Sequence, residues 1–82
     1  MITACFTISG NGCTPSTFIV LDDRRVFVHN RELGFFLHTL NSYDREFSQH
    51  IAYMVLDGFT IKPATEKQIA KYAAIIERNG IK

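Results

Sequence analysis

Residues 17–28 read TFIVLDDRRVFV, two apolar runs on either side of four charged residues. The first run, residues 18–21, is short and rich in β-branched and aromatic side chains, as strands are. The charged residues predict a polar turn, after which Val26, Phe27 and Val28 return as another strand. This stretch therefore predicts an antiparallel pair of strands.

The residues before this pair predict a further strand. Residues 2–9 alternate between apolar and mostly polar side chains, the period of a half-buried strand. Asn11-Gly12 follows, and this pair suits a type I′ hairpin turn because both positions need a positive φ. Pro15 lacks a backbone N–H, so the next strand is expected to begin near Thr17 or to carry a bulge. Three antiparallel strands within residues 2–29 form the expected meander.

The character of the chain changes at Asn30, a suitable N-cap, because apolar residues now recur at helical spacing. We expect helices near 31–41, 44–57 and 66–78, with Asp44 capping the second and Thr65 forming a capping box with Gln68 in the third. Residues 59–62 are either a linker or a short edge strand. The apolar stripe of the first helix would consist of Leu33, Phe36, Leu37 and Leu40. The order predicts one α+β domain over residues 1–82, a three-stranded antiparallel meander followed by two to three helices on one face.

Size and composition indicate an ordinary globular domain. The chain has 82 residues, of which 46% are hydrophobic and 21% charged, enough for one core. No apolar run approaches the roughly 20 residues that span a bilayer, and the start lacks the pattern of a signal peptide. We therefore expect a cytoplasmic protein with no membrane contact, whose two cysteines, Cys5 and Cys13, are reduced; a disulfide between them is the alternative.

The residue types needed for catalysis are present, but their spacing is not that of a known site. Gly10 and Gly12 are followed by Pro15 and a strand, which is typical of a hairpin rather than a phosphate loop. Cys13 could act as a nucleophile only if a histidine met it in space. The candidates for that base are His29, His38 and His50. Because no CxxC or HxxxH spacing occurs, we predict no catalytic residue, no metal site, no cofactor and a non-enzymatic protein.

Charge is nearly balanced, with a formal net charge of +1. Residues 1–61 carry four basic and six acidic side chains, and residues 62–82 carry five and two. The basic excess lies on the last helix, where Lys67, Lys71 and Arg78 are expected to face solvent. Such a row could contact nucleic-acid phosphates, although Glu66 and Glu77 interrupt it. Nucleic acid is therefore the alternative partner.

Aromatic residues favour a protein partner. Phe35 and Phe36 are adjacent, so in a helix they cannot both point at the core, and Phe35 would lie toward its edge. Tyr43 and Tyr53 are further aromatic side chains expected near the surface, where such residues act as anchors in protein interfaces. We therefore predict a protein-binding module that uses Phe35, Tyr43 and Tyr53, or the free edge of the meander. A second copy of the chain is one candidate partner.

The start of the last helix carries a resemblance. Ala64-Thr65-Glu66-Lys67-Gln68-Ile69 resembles the C-terminal helical segment of small bacteriophage and prophage accessory proteins. That resemblance implies a protein that binds a host protein or complex and inhibits or redirects it.

Overall fold

In a computed structural model, the chain forms one five-stranded antiparallel sheet and two helices, and the structure describes residues 1–38 and 44–79. In chain order the elements are β1 (Ile2–Gly10), β2 (Cys13–Leu21), β3 (Val26–Asn30), β4 (Gly34–Leu37), α1 (Arg45–Leu56), β5 (Thr60–Pro63) and α2 (Glu66–Arg78). Across the sheet the strand order is β4-β3-β2-β1-β5. The first four strands form a meander, and β5 joins its other side next to β1.

The β1–β2 hairpin has the turn that the sequence predicts. Asn11 and Gly12 both have positive φ angles, 51° and 71°, as a type I′ turn requires. The pairing register shifts near the turn: the two-residue advance from Ile8 to Gly10 on β1 lies opposite a three-residue advance from Ser16 to Cys13 on β2, which is a β-bulge. This bulge lies beside Pro15, so of the two expectations for that proline the bulge is confirmed.

Both faces of the sheet are apolar. Phe18 and Val20 belong to one buried cluster, whereas their neighbours Ile19 and Leu21 belong to another. Because successive side chains of a strand point to opposite faces, the two clusters lie on opposite sides of the sheet. Each side therefore needs its own cover.

The two helices supply these covers. Phe47 of α1 is buried in the cluster of Phe18, and we call that side of the sheet the α1 face. Tyr72 and Ile76 of α2 are buried in the cluster of Ile19, on the α2 face. The α+β class is confirmed, but the expectation that the helices pack on one face is wrong. The reason is that β2 and β3 are apolar on both faces and both faces must be buried.

The expected helix over residues 31–41 is also wrong. Residues 34–37 form β4, which pairs with β3, so the meander has four strands rather than three. Asn30 does act as a cap, but of a turn: its Oδ1 accepts the N–H groups of Glu32 (2.8 Å) and Leu33 (3.2 Å). Gly34 then has a φ of 83°, which starts the strand instead of a helix. Leu40, the last member of the expected stripe, lies outside the described residues.

The later elements agree with the sequence. Asp44 caps α1, since its carboxylate accepts the Phe47 N–H at 3.1 Å. Thr65 and Gln68 form the capping box of α2, with distances of 3.2 Å and 2.9 Å between each side-chain oxygen and the other's backbone nitrogen. Of the two readings for residues 59–62, the edge strand is confirmed as β5.

Candidate functional site

The C-terminal half of helix α1 is apolar on its outer side as well as on its inner side, whereas the first half exposes polar residues such as Ser48 and Gln49. The inner side of the helix carries Phe47. The structure describes every residue of α1, and among them Phe47 is the one that is buried. Three large apolar side chains of the same helix are exposed. They are Tyr53 (66% exposed), Val55 (49%) and Leu56 (79%). Together with Ala52, which is also exposed, they form what we call the α1 outer surface.

Sequence alone accounts for the neutrality of this surface. Between Glu46 and Asp57 the chain contains no Asp, Glu, Lys or Arg. A surface helix ordinarily carries polar or charged residues along the side that faces water, as Ser48 and Gln49 do in the first half of α1, whereas the second half exposes apolar residues. The α1 outer surface is therefore an exposed site that lacks the usual adaptation to water.

Helix α2 differs from α1 in the residues on its exposed side. Its inner side is also apolar, but Lys67, Lys71 and Arg78 are exposed and lie at positions i, i+4 and i+11, one stripe of a helix. The amino nitrogen of Lys71 lies 5.5 Å from the centre of the Tyr72 ring, a cation–π distance. The predicted basic row therefore faces away from the sheet. The two helices differ in their outer sides: that of α2 is charged along its length, whereas that of α1 is apolar in its C-terminal half.

The three aromatic residues predicted to bind a partner lie in different places. Tyr53 is exposed on α1. Phe35 lies on β4 rather than on a helix; it is half-buried on the α2 face and stacks on Phe27, with ring centres 5.3 Å apart and planes inclined by 9°. Tyr43 lies outside the described residues. Of the two that the structure describes, Tyr53 is exposed and Phe35 is half-buried.

Strand β4 carries a second exposed apolar group. Leu33 precedes the strand and is exposed, while Phe36 and Leu37 are 37% and 44% exposed. These are the residues that the expected helix would have buried. The strand lies at one edge of the sheet, so these side chains border backbone groups with no neighbouring strand in the described part of the chain.

A cleft of about 520 Å³ lies on the α1 face between the hairpin turns, with Cys13, Ser16 and Asn30 on its wall. Polar side chains of this wall form hydrogen bonds with one another. The Asn30 amide donates to Ser16 Oγ at 2.9 Å, and the Thr14 hydroxyl donates to a Glu32 carboxylate oxygen at 2.8 Å. Such internal bonding is typical of a folded turn and leaves few groups aimed at a ligand.

Cys13 does not meet a histidine across this cleft, whose lining contains none of the three. The Cys13 thiol donates to the Asn11 carbonyl at 3.8 Å. His29 lies under α2, whereas the rings of His38 and His50 are 6.0 Å apart beside Phe47. Within residues 1–38 and 44–79, no three or more His, Cys, Asp or Glu side chains come together as metal ligands would.

His29 has a structural partner instead. Its Nδ1 lies 2.8 Å from the hydroxyl oxygen of Tyr72, so the pair is hydrogen-bonded. Tyr72 is buried, and this bond gives its hydroxyl a partner in an otherwise apolar interface. The pair therefore fixes α2 on the sheet.

Comparisons of the chain with protein-family models, with curated proteins and with solved structures find no match. Neither helix of the described chain is long and apolar enough to cross a membrane.

Sequence reasoning missed most of the exposed apolar residues. Helical spacing predicts that Leu33, Phe36 and Leu37 form a buried stripe, whereas the structure leaves all three exposed. One pattern could have pointed to the α1 outer surface: ten consecutive residues without a formal charge, in which apolar side chains exceed what one stripe needs.

Proposed function

We propose that this domain is a non-enzymatic protein-binding module and that the α1 outer surface is its binding site. The observation that carries the proposal is the contrast between the two helices. On α2 the outer side is charged, as a solvated helix requires, whereas on α1 the outer side presents Tyr53, Val55 and Leu56. An exposed apolar patch rimmed by polar residues is typical of an interaction site.

The chemistry of the patch defines the kind of partner. Tyr53 offers an apolar ring with a hydroxyl at its tip, the composition favoured at interface hot spots. Leu56 lies three residues further along, which places both side chains on one side of the helix. A complementary partner surface is an apolar groove or an apolar helix stripe without formal charge. The resemblance of the last helix to phage accessory proteins suggests that this partner is a host protein or complex in the cytoplasm, which binding would inhibit or redirect.

The test is affinity capture from a nuclease-treated host lysate with matched variants. Leu56→Lys places a charge in the α1 outer surface, and Ala74→Lys places the same charge on the exposed side of α2. We expect a stoichiometric protein partner to be retained by the wild type and by Ala74→Lys and to be lost by Leu56→Lys. With a purified partner, Tyr53→Ala is expected to weaken binding by about 2 kcal/mol if it is a hot spot. A partner that both lysine variants retain equally would contradict the assigned surface.

The alternative function is nucleic-acid binding by the exposed basic row of α2. Its support is the common orientation of Lys67, Lys71 and Arg78 away from the sheet. If these side chains contact phosphates, neutralising all three would flatten the salt dependence of duplex binding by about 0.9 per lost contact. Fluorescence anisotropy with short oligonucleotides at low salt measures this. Micromolar binding that the triple variant abolishes would favour this alternative over the protein-binding module.

A further inference from the structure

The two edges of the sheet differ in how they are protected. β5 and β4 are the outermost strands. An edge strand exposes backbone donors and acceptors to which another chain can add, and proteins commonly block such edges with lysine or proline. β5 contains both, Lys62 and Pro63, within its four residues. Residues 33–37, which include β4, contain no proline and no formally charged residue.

On β5 the proline occupies an outward position. The Ala64 N–H donates to the Cys5 carbonyl at 2.9 Å, on the inner side. Since hydrogen-bonded and non-hydrogen-bonded positions alternate in an antiparallel pair, the backbone groups of Ile61 and residue 63 point away from β1. Pro63 has no N–H, so one of these two outward positions lacks a donor.

On β4 both outward positions keep their donors. The His38 N–H donates to the Val26 carbonyl at 2.9 Å, and the register pairs Phe36 with Val28 in the same alternation. The backbone groups of Phe35 and Leu37 therefore point away from β3. In the described part of the chain, β4 has no strand on that side.

We propose that β4 pairs with β4 of a second copy of this chain, antiparallel, about a two-fold axis at Phe36. In this register Phe35 of each copy lies opposite Leu37 of the other. Each such pair exchanges both N–H···O bonds, which uses the outward donors and acceptors of both copies. The sheets of the two copies then form one continuous sheet.

The side chains fit the same symmetry. Phe36 is on the α1 face with its cross-strand partner Val28, and at the axis it would meet Phe36 of the second copy in a close, non-hydrogen-bonded pair. On the opposite face, Phe35 and Leu37 of one copy would contact Leu37 and Phe35 of the other. These contacts cover side chains that are partly exposed in the single chain.

Self-complementarity argues for a second copy as the occupant. Because residues 33–37 carry no formal charge, like charges do not meet across the axis. A two-fold arrangement uses the same edge on both copies and closes, so it ends at a dimer. The contact is short, and small interfaces are typically weak, so we expect a dimer that dissociates on dilution.

Analytical ultracentrifugation of the full chain over a dilution series up to millimolar concentration tests the inference. We expect a monomer–dimer equilibrium without larger species. Leu37→Pro removes an outward N–H and spares every bond between β4 and β3, so it is expected to weaken dimerisation by about ten- to a hundredfold. Leu56→Lys is the matched control, since it removes an exposed leucine from the α1 outer surface and should leave the dimer unchanged.

A charge-pair experiment tests the position of the axis. Phe36→Lys and Phe36→Glu are each expected to be monomeric because like charges would face each other, whereas an equimolar mixture should form heterodimers. Circular dichroism melting confirms that each variant is folded. A wild type that stays monomeric at millimolar concentration, a dimer unaffected by Leu37→Pro, or a mixture that fails to associate would overturn the inference. A dimer abolished by Leu56→Lys would also overturn the inference, because that result would place the dimer contact on the α1 outer surface. Capture of a host protein is a separate measurement, and its outcome does not bear on dimerisation through β4.

Discussion

Replacing Phe47 by alanine should remove most of the contact between α1 and the sheet. The Phe47 side chain is 0% exposed, and its ring meets the Phe18 ring edge-on, with centres 5.9 Å apart. Ile51 and Met54 on the same side of the helix are only half-buried. The attachment of α1 therefore depends on this one aromatic residue more than on any other residue of the helix.

The expected cost follows from that burial. Truncating a buried phenylalanine to alanine typically costs about 3–5 kcal/mol, through lost transfer free energy and the cavity left behind. A domain of 82 residues has a total unfolding free energy of about 4–12 kcal/mol, at about 0.05–0.15 kcal/mol per residue. Phe47→Ala is therefore expected to remove about a quarter or more of the stability of the domain.

Urea denaturation followed by circular dichroism measures this loss. Tyr53→Ala is a matched control, because it truncates an aromatic residue on the same helix at a position that is 66% exposed. It should change the unfolding free energy by no more than about 0.5 kcal/mol, since alanine is also the better helix former. Equal losses for the two variants, or a loss below about 1 kcal/mol for Phe47→Ala, would refute the assigned packing of α1.

Further predictions concern the cap and core of α2 and the two thiols. Thr65→Ala should cost about 1 kcal/mol in chemical denaturation and Thr65→Ser much less, because only serine keeps the capping oxygen; an unchanged midpoint for alanine would mean that the helix begins elsewhere. Tyr72→Phe should cost about 1–3 kcal/mol, since it leaves the His29 ring without its 2.8 Å partner, and a Tyr72→Phe protein as stable as the wild type would show that the bond adds nothing. Burial raises the pKa of the Cys5 thiol, whereas Cys13 is exposed, so near neutral pH a disulfide reagent should modify Cys13 quickly and Cys5 only after unfolding. Equal rates in the folded protein would contradict the burial of Cys5.

Local sequence determined the elements whose stabilising contacts are themselves local. Asn11 and Gly12 specify the hairpin because few other residues accept positive φ at both turn positions. Thr65 and Gln68 specify the start of α2 because each side chain bonds the other's backbone three residues away. These interactions need no distant partner, so the sequence alone was sufficient for the β1–β2 hairpin and for both helices.

Tertiary pairing decided what residues 31–41 became. Leu33, Phe36, Leu37 and Leu40 have helical spacing, but spacing fixes only which side chains would share a face. The backbone groups of β4 instead bond β3, whose own outer side would otherwise lack a partner in the described chain. Gly34, at a φ of 83°, allows the turn that makes this pairing possible.

The placement of the helices on opposite faces was likewise decided by tertiary packing, although the sequence of β2 indicates that both faces of the sheet are covered. Ile19 and Val20 are adjacent and both buried, which requires cover on both sides of the sheet. The sequence does not state which helix covers which side, because each inner stripe is apolar and either could pack there. The same holds for the candidate sites: the sequence shows that α1 and β4 are uncharged, and only the folded chain shows that their apolar side chains remain in solvent. Exposure is a property of the packed molecule, since it depends on where the other elements lie.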